Sequence, residues 1–263
     1  MSRYLKAVVT ENQALNPEYN LLTLSPLSLL KEPRPGQFYM VGLPQDPLLK
    51  RPFSHFRKDK NGNIQIFFRI KGKGTALLSG LREGSTVEIL GPLGRPYPLP
   101  GELVGGELVE PLPSGGATIV VAGGIGIASL YSLIERCNKP YVFYGARSSK
   151  ELFFIDEIQE YSRKIFVTTD DGSAGEKGLI TESLDRFLNS LTETFTVYAC
   201  GPSKMLERVS EITKLRGGVA YISIEERMAC GIGACLGCVV KTTAGYQRVC
   251  KEGPVFDARE IIW

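Results

Sequence analysis

The chain has 263 residues, 43% of them hydrophobic, and a formal net charge of +3. That length suits two domains or so, and the apolar share suits packed cores. The mild charge, with no basic stripe interleaved with aromatics, argues against nucleic-acid binding, and no apolar run is long enough to span a bilayer.

Residues from about 3 to 98 read as short β-strands between Pro/Gly turns, with apolar or alternating runs at 7–10, 20–24 and 37–41. Residues 58–63 predict a hairpin turn with Asn61-Gly62 at its tip, and the strand 64–70 follows it. A further strand at 86–90 leads into a Gly/Pro-rich stretch from Gly91 to Gly116. This spacing predicts an antiparallel β-barrel domain over residues 1–100, with 101–116 as a linker or insertion. Packing alone explains two of its segments poorly. In Arg51-Pro52-Phe53-Ser54 the guanidinium offers a planar fork to phosphate oxygens. In Gly72-Lys73-Gly74-Thr75 the glycines free backbone N–H groups for a pyrophosphate, with the Thr75 hydroxyl opening a helix over 76–81. A solvated surface arginine and an ordinary glycine turn are the competing readings.

From Ala117 the pattern changes. A continuous apolar strand at 118–122 is followed by glycines and a helical pattern over 128–136. Buried strands at 141–144, 164–168 and 196–200 alternate with helical stretches at 151–161, 181–189 and 204–214. The alternation predicts a doubly wound parallel sheet over residues 117–224. Gly123-Gly124-Ile125-Gly126-Ile127-Ala128 sits between its first strand and first helix, where a dinucleotide pyrophosphate rests on helix N-terminal amides. Ser129 occupies the last position of G-x-G-x-x-G/A, so a tight turn without a ligand reads equally well. Arg147 resembles a ligand for a ribose 2′-phosphate, and Asp170 or Asp171 either accepts from a ribose or caps a turn.

The last segment, residues 225–263, reads as a small module around Cys230, Cys235 and Cys238, with Cys250 following after eleven residues. C-x4-C-x2-C…C is the plant-type spacing for a [2Fe–2S] cluster held by four thiolates. Three ligands on one tight loop need small residues between them, and Gly231, Gly233, Ala234 and Gly237 meet that need. A hairpin-like segment over 239–249 returns the chain to Cys250. Zinc sites more often show two separated C-x2-C pairs, or Cys with His, and the one histidine, His55, lies far upstream. A disulfide framework belongs to short secreted chains, and the N-terminus carries no apolar signal core. Cys137 and Cys200 read as ordinary buried thiols. Reduced cysteines and an oxygen-sensitive cofactor point to the cytoplasm.

Arg51-Pro52-x-Ser54, Gly72-x-Gly74-Thr75, Gly91-Pro92-Leu93-Gly94, Gly123-Gly124-x-Gly126-x-Ala128 and Cys200-Gly201-Pro202 follow the order seen in ferredoxin-NADP reductase-like flavoproteins, which the chain resembles. The stretch Asp170-Asp171-Gly172-Ser173 and the tail from Glu225-Glu226-Arg227-Met228-Ala229-Cys230 to Gly253-Pro254-Val255-Phe256 narrow the likeness. They are similar to the electron-transfer subunits of type B, NAD-dependent dihydroorotate dehydrogenases.

The resemblance implies FAD on the barrel, with Arg51 and the 72–75 loop at its phosphates and Ser54 near the flavin N5. Pro52, Phe53, Arg69, Ile70 and Lys73 belong to the same implied cofactor set. NAD(H) is implied at Gly123, Gly124 and Gly126, its nicotinamide reaching the flavin near Cys200, Gly201 and Pro202. Ser54 and Cys200 are then the positions nearest the reacting rings. Hydride transfer between two rings needs alignment and no acid–base residue, so one histidine suffices. The implied partner is an FMN-containing dihydroorotate dehydrogenase catalytic subunit, two of each chain forming a heterotetramer in pyrimidine biosynthesis, with neither nucleic acid nor membrane. Met228, Ile232, Leu236 and Val239 are expected either to line the surface where electrons leave or to shield the cluster.

Two alternatives share parts of this pattern. One is the flavin/iron–sulfur subunit of an NADP-linked ferredoxin oxidoreductase or a sulfhydrogenase, and the other is a zinc-bearing binding module without flavin. Two features depart from the expected pattern: Ser129 stands where relatives often have Pro, and 101–116 looks inserted. Arg147 lies in a Gly-Ala-Arg that NAD-dependent relatives share, so it does not settle NAD against NADP.

Overall fold

The computed structural model describes residues 3–28, 31–43, 46–99, 103–104, 107–108 and 116–263. Alternation of apolar residues makes the first part of the chain a single antiparallel sheet. Its strands are β1 (Arg3–Asn16), β2 (Tyr19–Pro26), β3 (Phe38–Leu43), β4 (Asp46–Ser54), β5 (Arg57–Lys58), β6 (Ile64–Arg69) and β7 (Thr86–Leu93), in the order β4-β3-β7-β1-β2-β6-β5. The sheet curls until β4 meets β6, where the Phe53 and Phe68 rings stand edge to face at 5.6 Å. Val9, Leu22, Tyr39, Ile66 and Ile89 fill the interior. This is the expected barrel.

β4 carries Arg51 to Ser54, a stretch whose Pro52 hides it as a strand. At the margin of a sheet a missing N–H costs little. The 58–63 turn forms as expected, with the Asp59 carboxylate accepting from the amides of Asn61 and Asn63 at 2.8 and 2.9 Å and Gly62 at φ +80°. Helix α1 (Lys73–Ser79) begins earlier than the expected residue 76, because the Thr75 side chain folds back to accept from the amides of Lys71 and Gly72 at 2.8 and 3.1 Å. Most of the expected 101–116 insertion lies outside the described residues; β8 (Leu103–Val104) and β9 (Glu107–Leu108) pair antiparallel within it.

The second sheet contains β10 (Ala117–Gly123), β11 (Tyr141–Ala146), β12 (Lys164–Thr169), β13 (Glu176–Lys177), β14 (Phe195–Cys200), β15 (Val219–Ser223) and β18 (Val255–Asp257), in the order β13-β12-β11-β10-β14-β15-β18. Every pairing is parallel except the last. Along β10, Val120 and Ala122 pack with α2 (Ile127–Arg136) and α3 (Ile155–Tyr161), while Ile119 and Val121 pack with α4 (Ile180–Ser190) and α5 (Ser203–Leu215). Helices on both faces explain the unbroken apolar strands. α3 is shorter than expected because Phe154 takes φ +61° and separates it from the 3₁₀ turn Ser149–Glu151. β15 is a parallel strand that periodicity did not single out. Among the described residues no helix is long and apolar enough to cross a membrane.

The C-terminal module adds a hairpin, β16 (Val239–Thr242) and β17 (Gly245–Arg248), and then contributes β18 antiparallel to β15. Phe38, Met40 and Leu93 of the barrel share one core with Cys238, Val249, Cys250 and Phe256 of the module. The lone His55 is buried, and burial, then Lys58 and Arg136, push it down to about 3, so it is neutral and serves packing.

The barrel and the nucleotide domain are also joined by a half-buried clamp. Arg57 donates to the Tyr131 hydroxyl at 2.9 Å and pairs with Glu157, and Tyr131 donates to Glu157 at 2.6 Å. Its guanidinium lies 5.1, 5.0 and 5.6 Å from the ring centroids of Phe56, Tyr131 and Phe154. Arg57→Ala removes the charge partner and the stacking surface together, and should destabilise the chain by about 1–3 kcal/mol. An unshifted midpoint in chemical denaturation would remove this clamp from the account.

Candidate functional site

The parallel strands end together, and at their carboxyl ends a cleft of about 660 Å³ opens between the two domains. In open α/β sheets ligands bind at this edge, where strand order reverses. Gly123, Gly124 and Gly126 line it, as do Gly201 and Pro202 after β14, while Tyr19 and Arg69 come from the barrel. The glycines have separate reasons to be glycine. A Cβ on Gly126 would lie 2.2 Å from the Cys200 carbonyl oxygen, and one on Gly123 would lie 2.6 Å from the Met205 sulfur. Those two permit packing. Gly124, at φ +51°, would meet nothing within 4 Å, so it leaves open space in the cleft beside the start of α2.

Cys200 is 1% exposed and enters the core between the domains with Phe56 and Tyr97. Burial, then the charge of Glu225, hold its thiol well above the ordinary range, so it stays protonated. Tyr97 and Tyr198 cross-link this region, donating to the carbonyls of Ala199 and Pro98 at 3.3 and 2.8 Å. Ser54 ends β4 just before buried His55, which meets the Tyr39 ring of the barrel, and Phe56, which enters the same core. Of the two expected ribose acceptors, Asp170 lines the cleft, whereas Asp171 caps a turn by accepting from the Ser173 amide and hydroxyl at 2.9 and 2.6 Å.

On the barrel, Arg51 and the 72–75 turn come together. A Cβ on Gly74 would fall 1.8 Å from the Arg51 Nε, so the guanidinium lies directly on this glycine. Arg51 also donates to the Leu49 carbonyl at 3.0 Å. A cation laid over a helix start suits the phosphates of a dinucleotide such as FAD. The Thr75 hydroxyl starts the helix, accepting from the Lys71 and Gly72 amides and donating to the Gly72 carbonyl at 3.0 Å. Arg69 holds Glu18 through Nε at 3.0 Å, and Ile70 packs on the barrel core while its amide donates to the Glu18 carbonyl at 2.7 Å. Gly72 and Lys73 are exposed at the turn.

In the module, Cys238 and Cys250 are buried and Cys230 and Cys235 are more open. Backbone amides turn inward on the sulfurs: Gly233 donates to Cys250 at 3.1 Å, Cys250 to Cys238 at 3.4 Å and Cys235 to Cys230 at 3.5 Å. Desolvation opposes ionisation of Cys230, but the amides of Cys235, Ile232 and Ala234 outweigh it and lower the thiol to about 6. Burial and then Cys238 push Cys250 up to about 12. Three thiols on an amide-lined loop and a fourth after the hairpin form a donor set that fits a [2Fe–2S] cluster, whose irons would supply the positive charge that thiolates need. Among the described residues no three His, Cys, Asp or Glu side chains converge as they do on a single metal ion, and four thiolates around two irons are spread more widely. Ile232, Leu236 and Val239 are exposed beside the ligands, whereas Met228 is partly buried against the core shared by barrel and module.

The cleft also takes in residues that sequence reasoning left without a role: Tyr19, Glu151, Glu225 and Trp263. Trp263 is the chain's one tryptophan, which was the available signal; Tyr19 and Glu151 carry none locally.

Fold and site together define a two-domain, flavin- and nicotinamide-dependent reductase with an appended iron–sulfur module. Family models place the same features: the iron-sulfur cluster binding domain of dihydroorotate dehydrogenase B matches residues 225–262, and an oxidoreductase NAD-binding domain matches 120–211. The chain is 36% identical to the dihydroorotate dehydrogenase B (NAD(+)) electron transfer subunit of Caldanaerobacter subterraneus subsp. tengcongensis, over 98% of each chain. It is 38% identical to the subunit of the same name from Bacillus caldolyticus, over 92% of this chain and 91% of that one. A structure of NADH-dependent reduced ferredoxin-NADP oxidoreductase superposes with a TM-score of 0.83 at 27% identity, covering 98% of this chain and 90% of that one. The cytochrome b5 reductase domain of Ulva prolifera nitrate reductase shares the fold, with a TM-score of 0.68 at 18% identity over 82% and 94% of the two chains. The chain belongs to the family of dihydroorotate dehydrogenase B electron transfer subunits.

Each of Cys230→Ser, Cys235→Ser, Cys238→Ser and Cys250→Ser should strongly reduce or abolish the cluster, while Cys137→Ser should keep it. Iron analysis and the visible spectrum check this; a Cys250→Ser protein with full iron would remove Cys250 from the ligand set.

Proposed function

We propose that the chain carries electrons between NAD(H) and the FMN-containing catalytic subunit of a dihydroorotate dehydrogenase, through FAD and a [2Fe–2S] cluster, in pyrimidine biosynthesis. The observation that carries this reading is the shared core of barrel and cysteine module, in a chain that matches the family over its whole length. When bound, FAD supplies the exchange between two-electron hydride chemistry and single electrons, and the cluster supplies their one-electron exit.

The chain's own residues position and insulate. Arg51 and the amides at the start of α1 hold the flavin phosphates. Gly124 and the start of α2 receive the pyrophosphate of NAD(H), and Asp170 accepts from a ribose. The Tyr97–Tyr198 contact and the Arg57 clamp fix the two domains against each other, which hydride transfer requires because ring alignment is the catalysis. Cys200 acts by packing, since a protonated thiol under the cleft floor is a poor nucleophile. His55, neutral and buried, takes no proton from the reaction. Ile232, Leu236 and Val239 form the face through which electrons pass to the partner subunit. On this reading the chain works in the cytoplasm, in an assembly with two copies of each subunit.

NADH should reduce the flavin with a higher kcat/KM than NADPH in stopped-flow measurements. The reverse order would favour the NADP-linked ferredoxin oxidoreductase alternative.

The isolated chain should pass electrons from NADH to artificial acceptors without reducing orotate. Adding the FMN-containing catalytic subunit from the same organism should create NADH-dependent orotate reduction. Leu236→Asp should weaken this coupled activity more than diaphorase activity. Orotate reduction by the chain alone, or none from the pair with all cofactors verified, would overturn the assignment.

A further inference from the structure

We propose that Arg248 raises the reduction potential of the [2Fe–2S] cluster, as a positioning residue that ties the Cys250 turn to the peptide facing Cys230. The proposal rests on the cluster reading above and adds a residue outside the four ligands that tunes it.

Arg248 ends β17, two residues before the fourth cysteine. Its backbone centres the turn that carries Cys250, since its carbonyl accepts from the amides of Lys251, Glu252 and Gly253 at 3.1, 2.9 and 3.3 Å. Its side chain reaches the other way. Nη1 donates at 3.0 Å to the carbonyl of Gly233, on the loop that carries Cys230 and Cys235. One residue therefore joins the two segments that have to meet around the irons.

A surface ion pair four residues apart is worth little, and Arg248 with Glu252 could be only that. The geometry sets it apart. One oxygen of the Glu252 carboxylate accepts from Arg248 Nε at 2.9 Å and from the Arg248 amide at 2.8 Å, so the acid holds both ends of the same residue. That leaves Nη1 aimed at Gly233. The two side chains are 27% and 30% exposed, so neither stands free in solvent.

Gly233 is the pivot. Its amide donates to the Cys250 sulfur at 3.1 Å. Its φ is +81°, and a Cβ there would lie 2.8 Å from the Lys251 Cδ, so no other residue fits without strain. Its carbonyl shares a peptide with the Ala234 amide, and that amide acts on Cys230. A cation on a carbonyl polarises the peptide and strengthens the hydrogen bond donated from its other end. Arg248 thus acts on Cys230 through one peptide, and its charge also acts on Cys250 and Cys238. Taking up one electron adds one negative charge to the cluster and its thiolates. Stronger N–H donors to sulfur and nearby positive charge both favour that state. Glu252 restrains the effect by neutralising the guanidinium.

The test is an EPR-monitored redox titration of the full chain holding FAD and cluster, beside iron analysis. Arg248→Met keeps a stem and removes the charge and the donors. At a fixed poise its ratio of reduced to oxidised cluster should fall about tenfold, a midpoint about 59 mV lower for a one-electron couple. Glu252→Gln keeps an acceptor and removes the countercharge, so its midpoint should rise. Lys251→Met removes the same unit charge from an exposed neighbour in the turn and should move the midpoint by less than a third as much. A parent with iron but no signal of a reduced [2Fe–2S] cluster would defeat the cluster reading itself. A parent with a normal cluster, and either Arg248→Met or Glu252→Gln at full iron with its midpoint unmoved or moved the other way, would overturn the role of Arg248 and leave that reading intact. A Lys251→Met shift as large as that of Arg248→Met would reduce the effect to general charge and overturn the route through Gly233. Should Arg248→Met lose its iron, Glu252→Gln decides: a raised midpoint supports the proposal, and an unchanged one overturns it.

Discussion

The close approach of the cysteine loop to the barrel is the constraint on which the rest of the molecule depends. A Cβ on Gly231 would lie 2.4 Å from the Met40 Cγ, and one on Gly94 would lie 2.5 Å from the Pro254 ring. Both glycines have positive φ, at +70° and +80°, so no larger residue sits there without strain. A module of about forty residues cannot build a core of its own. It borrows Phe38, Met40 and Leu93 from one domain and a sheet edge from the other. Cys238 and Cys250 are thereby set into the fabric of the barrel. The cysteine module and the barrel share a wall because the smallest part of the chain folds only against the larger ones.

A second consequence follows along the junction. The aromatic residues that close it, Phe56, Tyr97, Tyr131 and Tyr198, are nearly or fully buried, and their polar tips are satisfied across the boundary or against Arg57. Buried hydroxyls that must find partners define one docking geometry, where a purely apolar seam would tolerate several. For a reaction that consists of bringing two rings into register, that fixed geometry matters more than any proton donor.

Local patterns carried much of this architecture. The cysteine spacing, the Asn61-Gly62 turn, and the alternating and continuous apolar runs are short-range features, and short-range forces built what they indicate. The misses were non-local. β4 looked unlike a strand because Pro52 breaks the pattern, and only its marginal position in the sheet makes that harmless. β15 is five residues between Gly217-Gly218 and a charged stretch, and its partners β14 and β18 lie 19 residues before it or in another module. The start of α1 was also placed late, because the cap at Thr75 reaches back to Lys71 and Gly72. Arg147 left the nucleotide open in sequence, and its ion pair with Glu151, which Arg69 of the barrel also approaches, was not legible there.

The placement of β18 also bears on how the nucleotide domain's rim is covered. An unpaired strand at the rim of a sheet is a template for the next chain, and β15 would be such a rim without its antiparallel neighbour. The neighbour comes from the segment that follows the fourth cysteine. Should that segment peel away, the polypeptide would expose a row of unsatisfied amides and carbonyls next to the apolar residues of β14 and β15. The segment after the fourth cysteine thus closes the rim of the nucleotide domain as well as completing the cysteine module.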